Sequence, residues 1–318
     1  MGAGMQLSDR IGLRTNLHDI HVLIAVVQAG SMGKAAALLN TTQPAISRSI
    51  AKLEQAVGAT LLVRTTQGVA PTECGRALLD GGVAAFDDLR QAVKKIEFLA
   101  DPMAGEIRIG CTPILAATFV STVVDRLSRR HPRIVFHLET AYVEPLRRQL
   151  SERNLDLLIV RRFAATADEP VEFEPLFDDS YVVAAGAHTQ WARRRKVGLV
   201  DVASEPWTLP PRDSVIGALA MQAFRSNGLD YPRTTVVSDS PEVRASLVTT
   251  GRFLTIFPAS IFGLLKLRSE IKVLPIDLPT TRVPNVIVTV KSRSLSPVAQ
   301  LFIAQAREMA RPLARQKR

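Results

Sequence analysis

Residues 40–48 read Asn40-Thr41-Thr42-Gln43-Pro44-Ala45-Ile46-Ser47-Arg48, and this run decides the N-terminal fold. Thr41 or Thr42 is placed to cap a helix, and Pro44 in the first turn removes no hydrogen bond that the helix needs. Ile46, Ile50, Leu53 and Val57 follow at intervals of four, three and four, which sets them on one buried face. The opposite face carries Gln43, Ser47, Arg48 and Lys52. Gln and Arg make paired hydrogen bonds to purine edges in the major groove, while short hydroxyl side chains and Lys suit phosphates. Such a division of faces predicts a recognition helix.

Working outward, residues 17–29 place Leu17, Ile20, Leu23, Ile24 and Val27 on one helical face. Gly30 ends that helix, because glycine accepts the left-handed conformation, and Ser31 caps a second helix over 32–39. On the other side, Arg64 leads into the polar turn Thr65-Thr66-Gln67-Gly68 and the short run Val69-Ala70-Pro71. Two strands there form a wing that puts Arg64 beside a DNA backbone. Residues 17–75 therefore read as a winged helix-turn-helix, the alternative being a small helical bundle with a solvated polar face.

Residues 72–100 continue as one long helix, with Leu78, Gly82, Ala85, Leu89, Ala92, Ile96 and Leu99 at alternating four- and three-residue spacing. A heptad seam of this kind pairs with another chain, or packs within its own. Asp101-Pro102-Met103-Ala104-Gly105 breaks the helix. Beyond it, strands are expected over 106–111, 134–139 and 156–160, with helices over 114–130 and 143–153, and the alternation implies a parallel α/β sheet. A second such run has strands over 181–185, 234–237 and 253–257 and helices over 215–226 and through Val243. Strands over 271–274 and 286–290 and a helix from Pro297 lack a partner unless they return to the first sheet. The expected division is a C-terminal domain over 104–318, with lobe I at about 104–161 and 268–310 and lobe II at about 162–267.

The chain resembles the LysR-type transcriptional regulators. The matching positions are Gly30-Ser31, Ala35-Ala36, Leu39, Gln43-Pro44-Ala45-Ile46-Ser47-Arg48, Ile50, Leu53-Glu54, Gly58, Leu61, Arg64, Gly68, Thr72 and Gly75. Leu62, Pro71 and Cys74 depart from the family's usual Phe, Leu and Ala. Looser matches follow at Glu106-Ile107-Arg108-Ile109-Gly110, at 155–160, and from Leu247-Val248 through Gly251 to Ile256-Phe257-Pro258. The resemblance implies a multidomain α+β and α/β chain: a winged helix-turn-helix, a linker and dimerisation helix over 72–100, and a two-lobed effector domain like the periplasmic binding proteins. It implies a transcription regulator in the bacterial cytoplasm that binds double-stranded DNA as a homodimer or homotetramer and contacts RNA polymerase. Ser31, Thr41, Thr42, Gln43, Pro44, Ser47, Arg48, Lys52 and Arg64 are the expected DNA-facing residues. Two heads related by a two-fold axis read a partly palindromic promoter site.

In open α/β sheets ligands bind beyond the carboxyl ends of strands, where helix N-termini face the crevice. That rule selects Thr112, Pro113, Tyr142 and Arg161 in one lobe, and Pro210, Arg212, Ser214 and Ser240 in the other. Hydroxyls with Arg161 and Arg212 suit a small anionic effector.

Composition agrees without deciding. The 318 residues carry a formal net charge of +10, yet up to Met103 there are ten Lys/Arg against nine Asp/Glu, so the excess lies elsewhere and the motif carries the DNA reading. The densest basic runs, Arg193-Arg194-Arg195-Lys196 and the tail Arg315-Gln316-Lys317-Arg318, read as solvated surface. No metal-ligand cluster, resident cofactor or membrane partner is expected. Of the two cysteines, Cys111 reads as a buried thiol at a strand end, and Cys74 falls in the first domain. The five histidines fall in no nucleophile constellation, which argues against an enzyme. An effector-independent DNA-architectural protein is the other alternative.

Overall fold

A computed structural model describes residues 15–66, 68–165, 169–264, 269–278 and 281–315. Gln67 of the expected wing turn, the expected lobe boundary at residue 268, and residues 316–318 of the basic tail lie outside the described residues. The chain divides into two compact units, one ending at Val93 and the other beginning at Lys94.

In the first unit, α1 (Leu17–Ala29), α2 (Met32–Leu38) and α3 (Gln43–Val57) surround a core of Val22, Leu23, Ala35, Ile46, Ile50, Leu53 and Leu61. Each helix starts on a side-chain cap: Asn16, Ser31 and Thr42 accept from the backbone N–H groups of Asp19, Lys34 and Ala45. Thr42, rather than Thr41, is thus the cap of α3. Gly30 ends α1 at φ 68°. The wing is the antiparallel pair β1 (Leu62–Thr65) and β2 (Gly68–Pro71), with Arg64 opposite Val69. Glu54 fixes its entry, since Oε1 accepts from the N–H groups of Leu61 at 2.7 Å and Leu62 at 3.3 Å. Gly68 sits at φ 127° where a Cβ would run into the Gly30 carbonyl, which accepts a hydrogen bond from Val69 N–H at 2.9 Å. Only glycine lets the wing approach the α1–α2 turn so closely.

The long helix α4 (Glu73–Ala100) divides the expected seam. Leu78 packs on the first unit's core, and a Cβ on Gly82 would stand 2.6 Å from Ile20 Cγ2. The small residue therefore serves α1 of the same chain and not a second chain. Leu89, Ile96 and Leu99 are 48%, 66% and 72% exposed, so the rest of the seam remains uncovered.

The second unit has two lobes. Lobe I is a five-stranded sheet in the order β4 (Arg133–Thr140), β3 (Ala104–Cys111), β5 (Leu157–Arg161), β12 (Val283–Val290), β6 (Val171–Asp179). β4, β3 and β5 are parallel, as their alternation with helices predicted, and β12 is antiparallel to both neighbours. Its helices are α5, made of Pro113–Leu115, a π-helical turn Ala116–Val120 and Ser121–Arg130, then α6 (Val143–Ser151) and α12 (Pro297–Arg315). Phe119, Val123, Phe302 and Ala306 bring α5 and α12 onto Ile107, Ile109 and Ile159 of the sheet.

Lobe II is built from β7 (Tyr181–Gly186), β8 (Trp207–Leu209), β9 (Thr234–Val237), β10 (Thr255–Pro258) and β11 (Ile271–Val273). Around it lie α7 (Gln190–Arg193), α8 (Leu199–Val202), α9 (Val215–Ser226), α10 (Pro241–Thr249) and α11 (Ile261–Leu264). β7 is antiparallel to β10 and β11, β8 is parallel to β9, and a bridge from Trp207 to Leu254 joins the two sheets. The expected all-parallel second sheet is corrected accordingly.

The lobe boundaries change as well. Residues 171–179, assigned to lobe II with no strand expected there, form β6 and complete lobe I against β12, and strand 271–273, expected in lobe I, pairs with β7 of lobe II. The chain crosses between lobes at 179–181 and again after Leu278. At these crossings Asp179 accepts from Ser260 through both carboxylate oxygens, and Tyr181 N–H donates to Thr281 Oγ1 at 3.2 Å.

Candidate nucleic-acid interface and interlobe site

On α3 the buried stripe leaves Gln43, Pro44, Arg48 and Lys52 exposed, beside Thr41 and Thr42 at the helix start and Arg64 on the wing. Arg48 and Arg64 have no hydrogen bond or ion pair among the described residues. Two expected contacts are partly committed elsewhere. Ser47 is half-buried and donates to Met32 Sδ at 3.3 Å, and the Lys52 ammonium lies 3.4 Å from the buried carboxylate of Asp19, which also accepts from Ser49. Ser31 spends its hydroxyl on capping α2 at 3.1 Å, so it fixes the turn that presents α3. What stays open are the uncommitted donors of Gln43 and Arg48, both exposed on α3.

In the second unit the helix-cap residues divide by what their hydroxyls already do. Ser214 caps α9, accepting from Gly217 N–H and donating to Pro211 O at 2.6 Å. Ser240 caps α10 and donates to Glu242 at 2.7 Å. Thr112 begins α5 with no side-chain cap, so its hydroxyl is spare for a ligand, and Pro113 follows it in the first turn. Tyr142 begins α6 without capping it, and its hydroxyl meets Asp239 of lobe II. Burial and the Asp239 charge raise its pKa.

Pro210 is buried beside β8, whereas Arg212 is exposed with its guanidinium 4.4 Å over the Tyr231 ring, a contact within lobe II. Arg161 instead reaches across the lobes, 4.8 Å over the Tyr181 ring. Sequence reasoning missed the residues that complete this junction. Arg244 is 1% exposed, lies 5.0 Å over the Phe257 ring, and donates from Nη1 to Ile256 O at 2.9 Å. Burial and the nearby Arg161 charge pull its pKa down to about 10, which still leaves a cation at neutral pH. Arg244 lies one helical turn beyond the Ser240 cap, so extending the crevice rule from caps into the first turn would have found it.

Burial pushes the Cys111 thiol up to about 12, so it is a core side chain without thiolate character at neutral pH. Among the described residues no group of three His, Cys, Asp or Glu side chains is arranged to hold a metal ion, and no single helix is long and apolar enough to cross a membrane.

Residues 17–76 match the family described as bacterial regulatory helix-turn-helix protein, lysR family, and residues 100–311 match the LysR substrate binding domain. The HTH-type transcriptional regulator GbpR of Azospirillum brasilense is 23% identical over 295 residues, 92% of this chain and 86% of its own. The dual regulator OxyR of Escherichia coli is 26% identical over 268 residues, 84% and 87% of the two chains. Among solved structures, a full-length OxyR variant from Pseudomonas aeruginosa superposes with a TM-score of 0.66 at 20% identity, over 92% of this chain and 95% of its own. The LysR family regulator CbnR does so with a TM-score of 0.56 at 20% identity, over 92% and 100%. With both domain matches in order along most of its length, the chain belongs to the LysR family of bacterial DNA-binding transcriptional regulators.

Proposed function

We propose that the protein is a homodimer, assembling further into a homotetramer, that reads a partly palindromic promoter site through α3 and responds to a small molecule bound between its lobes. The observation that carries the DNA reading is that Gln43 and Arg48 of α3 are both exposed and uncommitted. The exposed run Leu89, Ile96 and Leu99 supports pairing of α4 with a second copy, because three large apolar side chains on one helix face gain most by mutual burial. A solved structure of CbnR contains that protein with its target DNA, which favours the same use of this domain here.

An effector acts by binding one lobe arrangement more tightly than another, and the shift passes through the oligomer to the spacing of the DNA-binding heads. Thr112, Tyr142 and Arg161 on lobe I face the effector. Contact with RNA polymerase and residence in the bacterial cytoplasm belong to the same reading, and the family match supports them without showing either. The protein works as a regulator and not as an enzyme, a reading supported by relatives that are transcriptional regulators.

Arg48→Ala tests the DNA reading. It is expected to weaken binding to the cognate site by about 1–3 kcal/mol while leaving binding to random DNA nearly intact, measured by competition gel shift at fixed salt. Equal losses on both DNAs reassign Arg48 to phosphate contact. Binding with no sequence preference and a steep salt dependence favours the architectural alternative.

A further inference from the structure

We propose that lobe II carries a second, sequence-independent contact for DNA, in which the basic loop Arg193-Arg194-Arg195-Lys196, with Arg252 and Lys272 beside it, binds the phosphate backbone of the duplex that the heads hold. This goes beyond base reading by α3 and does not depend on it.

The argument begins with where the charge is. Up to Met103 the Lys/Arg and Asp/Glu nearly cancel, and thirty Lys/Arg against 21 Asp/Glu follow, so the half of the chain that holds the helix-turn-helix is not the basic half. In lobe I the exposed arginines are largely neutralised: Arg126 pairs with Glu308 at 3.3 Å, Arg129 with Asp125 at 3.1 Å, Arg133 with Asp101 at 2.7 Å and Arg148 with Glu152 at 3.4 Å. Among the described residues lobe II forms no ion pair at all, and Arg193, Arg194, Arg195, Lys196, Arg252 and Lys272 are all exposed.

The loop is held in place rather than free like a tail. Trp191 before it and Val197 and Leu199 after it are buried in the lobe II core, so the four cations stand on a short segment pinned at both ends. Arg194 is extended at φ −78° and ψ 136°, with its guanidinium 4.6 Å over the Trp191 ring. Lys272 is opposite Ala185 in the β11–β7 pairing, and therefore on the sheet face where Ala185 shares a core with Trp191. Arg252 follows Gly251, whose Cβ position lies 3.4 Å from Cγ2 of Thr189, the cap of α7. Of the nearby carboxylates, Asp201 accepts from Gly198 N–H at 2.8 Å, and Glu270 is exposed and forms no ion pair with the group. Like charges fixed side by side repel one another, and a polyanion relieves that repulsion while releasing its own counterions. DNA is the occupant this charge complements, because the heads of the same chain keep it at high local concentration and a modest contact is then used at every binding event.

Fluorescence anisotropy of the full chain with mixed-sequence duplexes tests this. Arg193→Gln, Arg194→Gln, Arg195→Gln and Lys196→Gln together are expected to weaken binding to a duplex of about 60 base pairs about tenfold or more at ~100 mM KCl, and to reduce the log–log salt slope by roughly 2–4 for each patch engaged. Arg126→Gln, Arg129→Gln, Arg130→Gln and Arg148→Gln remove the same charge from lobe I and are expected to change affinity less than about twofold. At equal base-pair concentration, the advantage of that duplex over one of about 20 base pairs is expected to shrink in the lobe II variant, since only the longer one meets head and patch together. Arg193→Gln with Arg195→Gln spares the Arg194–Trp191 stack, so it is expected to keep the parent Tm within about 2 °C while losing roughly half as much salt slope. An unchanged slope or length advantage overturns the proposal, and so does an equal loss in the lobe I control, which would reduce the effect to net charge. Poly-glutamate that binds the parent as tightly as the duplex and is released by the lobe II variant overturns it in favour of an acidic protein partner. Arg48→Ala is expected to leave binding to these duplexes nearly intact, so base reading and the lobe II contact fail independently.

Discussion

The reading face of α3 and the junction between the lobes use the same residue types, arginines and hydroxyls, at opposite extremes of exposure. Arg48 stands in solvent and costs the unbound protein nothing; Arg244 is covered, and its Nε has no acceptor. The first arrangement suits a polyanion that arrives as a preformed surface, where exposed donors exchange water for phosphates and base edges. The second ties a helix to a strand of lobe II, since Arg244 Nη1 donates to Ile256 O at 2.9 Å.

Four substitutions break or sharpen this contrast. The largest effect is expected at the linker helix. Ile96→Glu puts a charge into the seam of both copies, so loss of about 1.5–3 kcal/mol per buried side chain counts twice, roughly 3–6 kcal/mol for a dimer. Sedimentation at low micromolar protein reads the result, and an intact dimer would remove α4 from the interface. Next is Trp207→Ala, which empties the centre of lobe II where the indole N–H donates to Val202 O at 3.0 Å. It is expected to cost about 3–5 kcal/mol in a denaturant melt of the second unit.

The smaller predictions separate hydroxyls that serve their helix from the one that does not. Ser31→Ala removes the cap that sets the α1–α2 turn and is expected to cost about 1 kcal/mol. Thr112→Val, by contrast, is expected to stay within about 0.5 kcal/mol of the parent, because that hydroxyl makes no cap. A loss at Thr112 as large as at Ser31 would make it structural and withdraw it from the ligand site.

The same contrast explains what was legible in the sequence. Gln43, Arg48, Ile46 and Ile50 lie on one helix, so their faces follow from spacing alone, and the cap and stop of each helix are written in adjacent residues. In the second unit α9 and β9 were readable for the same local reason. The membership of β6 and β11 was not, because a strand chooses its neighbour by long-range pairing: residues 171–179 look no different whether they join β12 or lobe II. The strand ends from which Thr112 and Arg161 were proposed were legible from topology, but no local pattern marks Arg244 or Tyr181 as buried. Only tertiary packing shows that both are buried, with Arg244 Nε and Tyr181 Oη left without a hydrogen bond.

The most direct test of the central claim is a genomic DNA pull-down with the purified full chain at physiological salt, followed by sequencing of the retained fragments, because non-specific contacts are screened under those conditions. The account predicts enrichment of a few promoter fragments that share an inverted repeat. Retention of fragments without any common site would contradict it and remove the base-reading role from Gln43 and Arg48.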